Sequence, residues 1–258
     1  MKLGFCPGAL NLKQPQPEVI KCPSCSGEIE IWTDELQATC PNCKKTVTKE
    51  ASASCLDWCS YAKQCLGAEG YNKYMKNRAI TIKGKLLKEL ELYFGDDKKR
   101  INHARKVMSF AEELLKTEEC DWHIVIPASI LHDIGIKEAE KKYGSSAGPH
   151  QEKEGPDIAR GILLKMGLKR GDIEEICDII AHHHSPGEIA TLNFKVLYDA
   201  DWLVNLRDEV NTNDKDKLRR TIAKVFLTAT GKELAKKIYL SECDAQAGLS
   251  PSIKDENR

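Results

Sequence analysis

The 258-residue chain holds no apolar run long enough to cross a bilayer, which excludes a membrane-spanning helix. Its first residues, MKLGFCPGAL, lack the apolar centre of a signal peptide, so a cytoplasmic protein is expected. Neither charge is in excess: Lys+Arg and Asp+Glu stand at 39 each, which removes the global basic signal of a nucleic-acid binder. Internal repeats and low-complexity tracts are also missing. What remains is a chain long enough to bury a full core and to carry a second, smaller module.

Cysteine, by contrast, is plentiful. Eight of the eleven cysteines precede residue 66, and in a cytosolic chain such clusters read as metal sites rather than disulfides. Cys22-Pro-Ser-Cys25 and Cys40-Pro-Asn-Cys43 are two knuckles separated by fourteen residues. Each turn aims two thiolates at one point, and two turns complete a tetrahedron for a structural zinc. The EIEIWTDELQATC stretch between them alternates enough for a short hairpin. Together, residues 20–48 resemble a zinc ribbon. A second cluster, Cys55, Cys59 and Cys65, is one ligand short of a metal site. Cys6 could complete it for a second zinc or an iron–sulfur cluster, with unligated thiols as the alternative. Cys120, Cys177 and Cys243 are scattered and read as ordinary thiols. Residues 1–76 carry nine Lys and Arg against eight Asp and Glu, with no basic stripe, so nucleic acid is not expected as a partner of this module either.

The polar stretch GAEGYNKYMKNRA reads as the connection between a module at 1–76 and a second domain at 77–258. From Ile80 onward the pattern is helical almost throughout. In DKKRINHARKVMSFAEELLK the apolar stripe is Ile101, Ala104, Val107, Met108, Ala111, Leu114 and Leu115, with His103 at its edge. A helix is expected from about Trp122 to Ile134, with Gly135 as its C′ residue. KKYGSSAGPHQEKEG reads as a loop holding His150, Pro156 as the opening of the next helix, and Asp172 as the cap of DIEEICDIIAHHH. Continuing that helix at 3.6 residues per turn brings His183 and His184 toward the apolar stripe and turns His182 away. His183 is the favoured inward residue, and His182 joins it only if the helix unwinds before Ser185-Pro186-Gly187. Closing helices follow the segment FKVLYDADWLVNL.

The histidines carry the chemistry. All seven fall between 103 and 184, and only His123 stands outside the order His103, His132-Asp133, His150, His182 to His184, then Asp199 and Asp201. A buried carboxylate beside an imidazole is costly unless it is paired or bound to a metal. This order, from about Asn77 to Leu240, resembles the HD superfamily of metal-dependent phosphohydrolases.

The resemblance implies a mainly α protein, a helical HD core behind a small zinc-ribbon-like module. It implies that His103, His132, Asp133 and Asp201 hold one divalent ion (Mn, Fe, Co, Mg or Zn). ADWL matches the family's last motif, which selects Asp201 ahead of Asp199. His150 and His183, with His182, would add a second ion in two-metal members. His132 and Asp133 would be the catalytic centre, with metal-activated water attacking phosphorus, and Lys106 could contact a substrate phosphate. IGIKE after the HD pair departs from the alarmone hydrolases. HHHSPGE lacks the Gly-Tyr-Pro signature of cyclic-dinucleotide diesterases. A hydrolase of small phosphorylated metabolites, nucleotides first, is therefore expected. The alternative is a ligand-binding or redox-sensing regulator built on the same core and cysteine module.

Overall fold

In the computed structural model, residues 15–33, 35, 37–48, 56, 59 and 61–240 are described. They form two small hairpins followed by a helical core, a mainly α architecture. Strands β1 (Pro17–Lys21) and β2 (Glu28–Trp32) pair antiparallel, as do β3 (Gln37–Thr39) and β4 (Thr46–Thr48). The hairpin expected between the two knuckles does not form. Instead each knuckle is itself the turn of a hairpin, and β2 and β3 belong to different sheets. The cause is local. Ser26 and Lys44 adopt positive φ, which reverses the chain just after each CPxC. The amides of Cys22 and Cys40 then bond to the carbonyls of Gly27 and Lys45. Cys22, Ile29, Cys40 and Val47 form the small core of this part.

Nine helices follow among the described residues: α1 (Ala62–Phe94), α2 (Lys98–Leu114), α3 (Trp122–Leu131), α4 (Ile136–Tyr143), α5 (Gly148–Lys165), α6 (Arg170–Ala181), α7 (Leu192–Glu209), α8 (Lys215–Val225) and α9 (Ala229–Tyr239). The polar stretch expected to be a connection lies inside α1, which bends at Gly67 and then runs unbroken to Phe94. Met75, Ala79, Ile82, Leu86, Leu90 and Phe94 recur every three or four residues and are buried, so one face packs although the other is polar. The cysteine-rich part therefore meets the core through a helix.

Helix α3 lies at the centre. Every residue from Ile124 to Leu131 is buried, which fits a helix that is apolar all round. It packs against α1, α2, α6 and α7. It ends three residues earlier than expected, leaving His132 to Gly135 as a turn before α4. Gly135 is not a left-handed C′ residue; its φ is −70°. Glycine is needed there because a Cβ would collide with the Gln151 carbonyl and lie 2.7 Å from the Gly155 nitrogen. Helix α5 begins at Gly148, not at Pro156, because Pro149 starts it and Pro156 is tolerated within it. His150 consequently lies in a first turn rather than a loop. Asp172 likewise falls in the first turn of α6, whose N-cap is Lys169. No helix among the described residues is long and apolar enough to cross a membrane.

Two glycines separate close approach from simple flexibility. Gly135→Ala should destabilise the fold by about 1–3 kcal/mol, since backbone meets backbone there. Gly161, inside α5 with nothing within 4 Å of an added Cβ, should accept Ala with a gain of about 0.5–1 kcal/mol. Urea midpoints of the two variants check this pair; equal midpoints would contradict the close-approach account.

Candidate metal centre

Four separate helices deliver polar side chains to one point in the core. His103 comes from the middle of α2, and His132 and Asp133 from the end of α3. His183 and His184 follow the end of α6, and Asp201 comes from the middle of α7. His103 Nε2 lies 3.2 Å from His132 Nε2 and 3.0 Å from Asp201 Oδ1. Asp133 Oδ2 is 3.5 Å from each of those two nitrogens, and His132 Nε2 is 3.6 Å from Asp201 Oδ1. Bonds of about 2.1 Å to nitrogen and oxygen set adjacent donor atoms about 3.0–3.4 Å apart in octahedral or tetrahedral shells. The observed spacing therefore suits a small divalent cation. On the other side of Asp133, Oδ1 is 3.6 Å from His183 Nε2, and Asp133, His183 and His184 make a second group able to hold an ion.

The backbone aims two of the imidazoles. His132 Nδ1 donates to the Ser129 carbonyl at 2.9 Å, and His183 Nδ1 to the Ile180 carbonyl at 2.7 Å. Each carbonyl lies three residues upstream. Assigning the protons to Nδ1 leaves Nε2 facing the cluster with a free lone pair. His183 Nε2 is shielded from solvent and has no hydrogen-bond partner. Such an orphan costs roughly 1–3 kcal/mol, a cost that a cation would remove.

Electrostatics sharpen the picture. Burial alone would push the Asp133 carboxyl up, but His132, His183 and His103 around it hold it well below the usual carboxylate range. Asp201 is lowered too, against its burial, chiefly by its bond to His103. His132 is pushed down by burial and so stays neutral. Burial also drives His184 down to about 4. His103 and His183 move the other way: burial opposes the shift, but the hydrogen bond of His103 to Asp201 and the Asp133 carboxylate facing His183 outweigh it. The ionised carboxylates and the neutral His132 are already in the state a metal requires, and binding an ion would release any proton held by His103 or His183.

The two candidate aspartates have separate duties. Two positions on a helix differ by about 200°, so Asp199 and Asp201 leave α7 on nearly opposite sides. Asp199 accepts from the amides of Leu227 and Thr228, at 2.7 and 2.8 Å, and from the Thr228 hydroxyl at 2.7 Å. Thr228 in turn caps α9 through the Gly231 amide. Asp199 therefore anchors the last helix to the back of α7.

The remaining expected residues fall elsewhere. His182 Nδ1 donates to the Asp178 carbonyl at 2.9 Å, and His182 is outside both donor groups. The helix does unwind there, yet His183 and His184, not His182, join the donor group. His150 is also outside both groups; its ring stacks on Tyr143 with centroids 4.3 Å apart. His123 lies near Asp172, away from this centre. Lys106 is exposed one turn from His103, and its charge opposes protonation of that imidazole. Sequence reasoning missed Glu152, which accepts from the His184 amide at 2.9 Å and the Ser185 hydroxyl at 3.0 Å. It also missed Gly148, where a Cβ would press against the His184 ring at 3.0 Å. Only the choice of helix start could have exposed them, since both lie at the beginning of α5.

In the hairpins, Cys22 Sγ lies 3.6 Å from Cys43 Sγ, and Cys25 Sγ 3.6 Å from Cys40 Sγ. Metal–sulfur bonds of about 2.3 Å place tetrahedral sulfurs about 3.8 Å apart. The four thiols thus form a group able to hold an ion. Cys59 and Cys65 carry free thiols. Cys6 and Cys55, the other members of the expected second cluster, lie outside the described residues.

Residues 100–206 match the family model of the HD domain. A crystal structure of a predicted HD superfamily hydrolase from an uncultured Thermotogales bacterium shares 29% identity, covering 60% of this chain and 84% of that one, with a TM-score of 0.47. Comparison with curated proteins gives no match.

The division of labour between the aspartates is testable without any activity. In metal-stripped protein, Asp199→Ala should lower stability by about 1–3 kcal/mol, because it orphans buried donors. Asp201→Ala should cost less, because the groups that lose a bond, His103 and Asn205, are only partly buried. Denaturant midpoints decide; a larger loss for Asp201→Ala would reverse the assignment.

Proposed function

With an HD domain at residues 100–206, we propose that the protein is a divalent-metal-dependent phosphohydrolase acting on small phosphorylated compounds, nucleotides foremost. The observation that carries this reading is the convergence of His103, His132, Asp133 and Asp201 at metal-ligand spacing from three helices. In this reading those four residues hold one ion, and Asp133, His183 and His184 hold a second. Asp133 belongs to both groups, since Oδ2 faces His103 and His132 and Oδ1 faces His183. Cys22, Cys25, Cys40 and Cys43 hold a structural zinc. In this reading the cysteine module, expected at residues 1–76, is a structural or interaction accessory of the helical domain.

A bound divalent ion supplies Lewis acidity toward a phosphoryl oxygen and lowers the pKa of water at the site. The chain's own residues do the rest. Asp133 and Asp201 stay ionised at neutral pH, so without cations the centre turns two carboxylates toward an incoming phosphate and disfavours it. Phosphate binding is thereby tied to cation loading. The i−3 carbonyls of Ser129 and Ile180 keep two imidazoles aimed before substrate arrives, so little reorganisation is needed. In this reading Lys106, exposed one turn from His103, contacts a substrate phosphate.

Phosphate release from a panel of nucleotides and sugar phosphates, with Mn, Co or Mg, tests the reading. Asp133→Ala should reduce metal-dependent release by about a hundred- to a thousandfold, the usual size of electrostatic contributions at such centres. The zinc content of the cysteine module should be unchanged, since its ligands are separate. Wild-type rates in Asp133→Ala would refute the site. Metal binding by the wild type with no hydrolysis across the panel would favour a regulatory HD protein.

A further inference from the structure

Asp201 does not stand alone on α7. One turn further on, Asn205 Nδ2 donates to Asp201 Oδ1 at 2.9 Å. That oxygen is the one facing the centre, 3.0 Å from His103 Nε2 and 3.6 Å from His132 Nε2. A carboxylate oxygen offers two lone-pair directions. With the amide on one, the other is left pointing at the imidazoles, and rotation about the side chain is checked. The arrangement parallels that of His132 and His183, whose Nδ1 protons are held by backbone carbonyls. In those cases no substitution can remove the partner. Here the partner is a side chain.

We propose that Asn205 is a positioning residue for the metal centre: its carboxamide fixes Asp201 as a one-oxygen ligand, and the affinity and coordination geometry of the ion depend on it. The inference rests on the metal-site reading given above. Two effects oppose each other. A donor on the ligating oxygen draws charge away from the metal, which weakens the bond. Fixing the carboxylate before the ion arrives removes a rotational cost and strengthens it. Loss of an outer partner of this kind ordinarily weakens metal binding about 10–100-fold, so the orienting effect dominates.

The test uses the full chain, stripped of metal at the helical centre and titrated with Co(II). Affinity and the visible absorption of the bound ion are both read. Asn205→Leu keeps the volume and removes the donor; Asn205→Gln keeps a donor that still reaches an aspartate one turn away. Asn205→Leu should bind Co(II) about 10–100-fold more weakly with an altered spectrum. Asn205→Gln should stay close to wild type in both. Melting curves of the metal-free proteins check that the fold is intact, and Asn205→Ala replaces the leucine variant if that one does not fold. Wild-type affinity and spectrum in Asn205→Leu would overturn the proposal. So would an equal loss in the leucine and glutamine variants, which would mark packing rather than the hydrogen bond. A wild type that binds no Co(II) at this centre would instead refute the metal-site reading itself.

Discussion

Two ionised carboxylates and three imidazoles share a small space inside the core, and the structure depends on how that space is compensated. His132 and His183 are almost fully buried, and Asp133 and Asp201 keep only 15% and 12% of their side chains exposed. The hydrogen bonds among them leave His183 Nε2 without a partner. Charges in such surroundings cost several kcal/mol each unless they are paired. Pairing carboxylate with imidazole offsets part of that cost, as the raised His103 and His183 and the lowered Asp133 and Asp201 indicate. A divalent cation at the same point would offset it for every member together.

Much of the surrounding packing serves to bring these groups to one place. Helix α3 is buried on all sides and ends at the HD pair, so its register sets where His132 and Asp133 stand. The turn after it presses against α5 where Gly135 meets Gly155, an approach that side chains would prevent. The start of α5 then reaches the turn after α6, with Glu152 holding the His184 and Ser185 end and Gly148 lying under the His184 ring. Asp199 ties α9 to α7 from behind. The glycine and Glu152 contacts set the spacing of the turns that carry donors, and the Asp199 contact secures the helix that carries Asp201.

The fold and the centre were legible in the sequence to different depths. Short-range chemistry read well. Two CPxC knuckles constrain four sulfurs through segments only four residues long, and the structure brings them together. The helical pattern and the apolar stripe of α2 follow from spacing alone. The choice between Asp199 and Asp201 rested on a resemblance, and the geometry separates them: one is consumed by backbone amides, the other faces the imidazoles. What was not legible depends on partners distant in the chain. The polar face of α1 hid a helix whose other face packs on α3. The hairpin pairing turned on positive φ at Ser26 and Lys44, two residues without the usual preference for it. His150 looked like a ligand by order, but the early start of α5 places it against Tyr143.

The central claim is that the buried cluster exists to hold a cation. Diffraction from crystals soaked in Mn, with data at the Mn absorption edge, reads it directly. The account predicts an anomalous peak inside the helical core, about 2.0–2.3 Å from His103 Nε2, His132 Nε2, one oxygen of Asp133 and Asp201 Oδ1. Saturating Mn with no peak there, or a peak bound only by surface carboxylates, would contradict it.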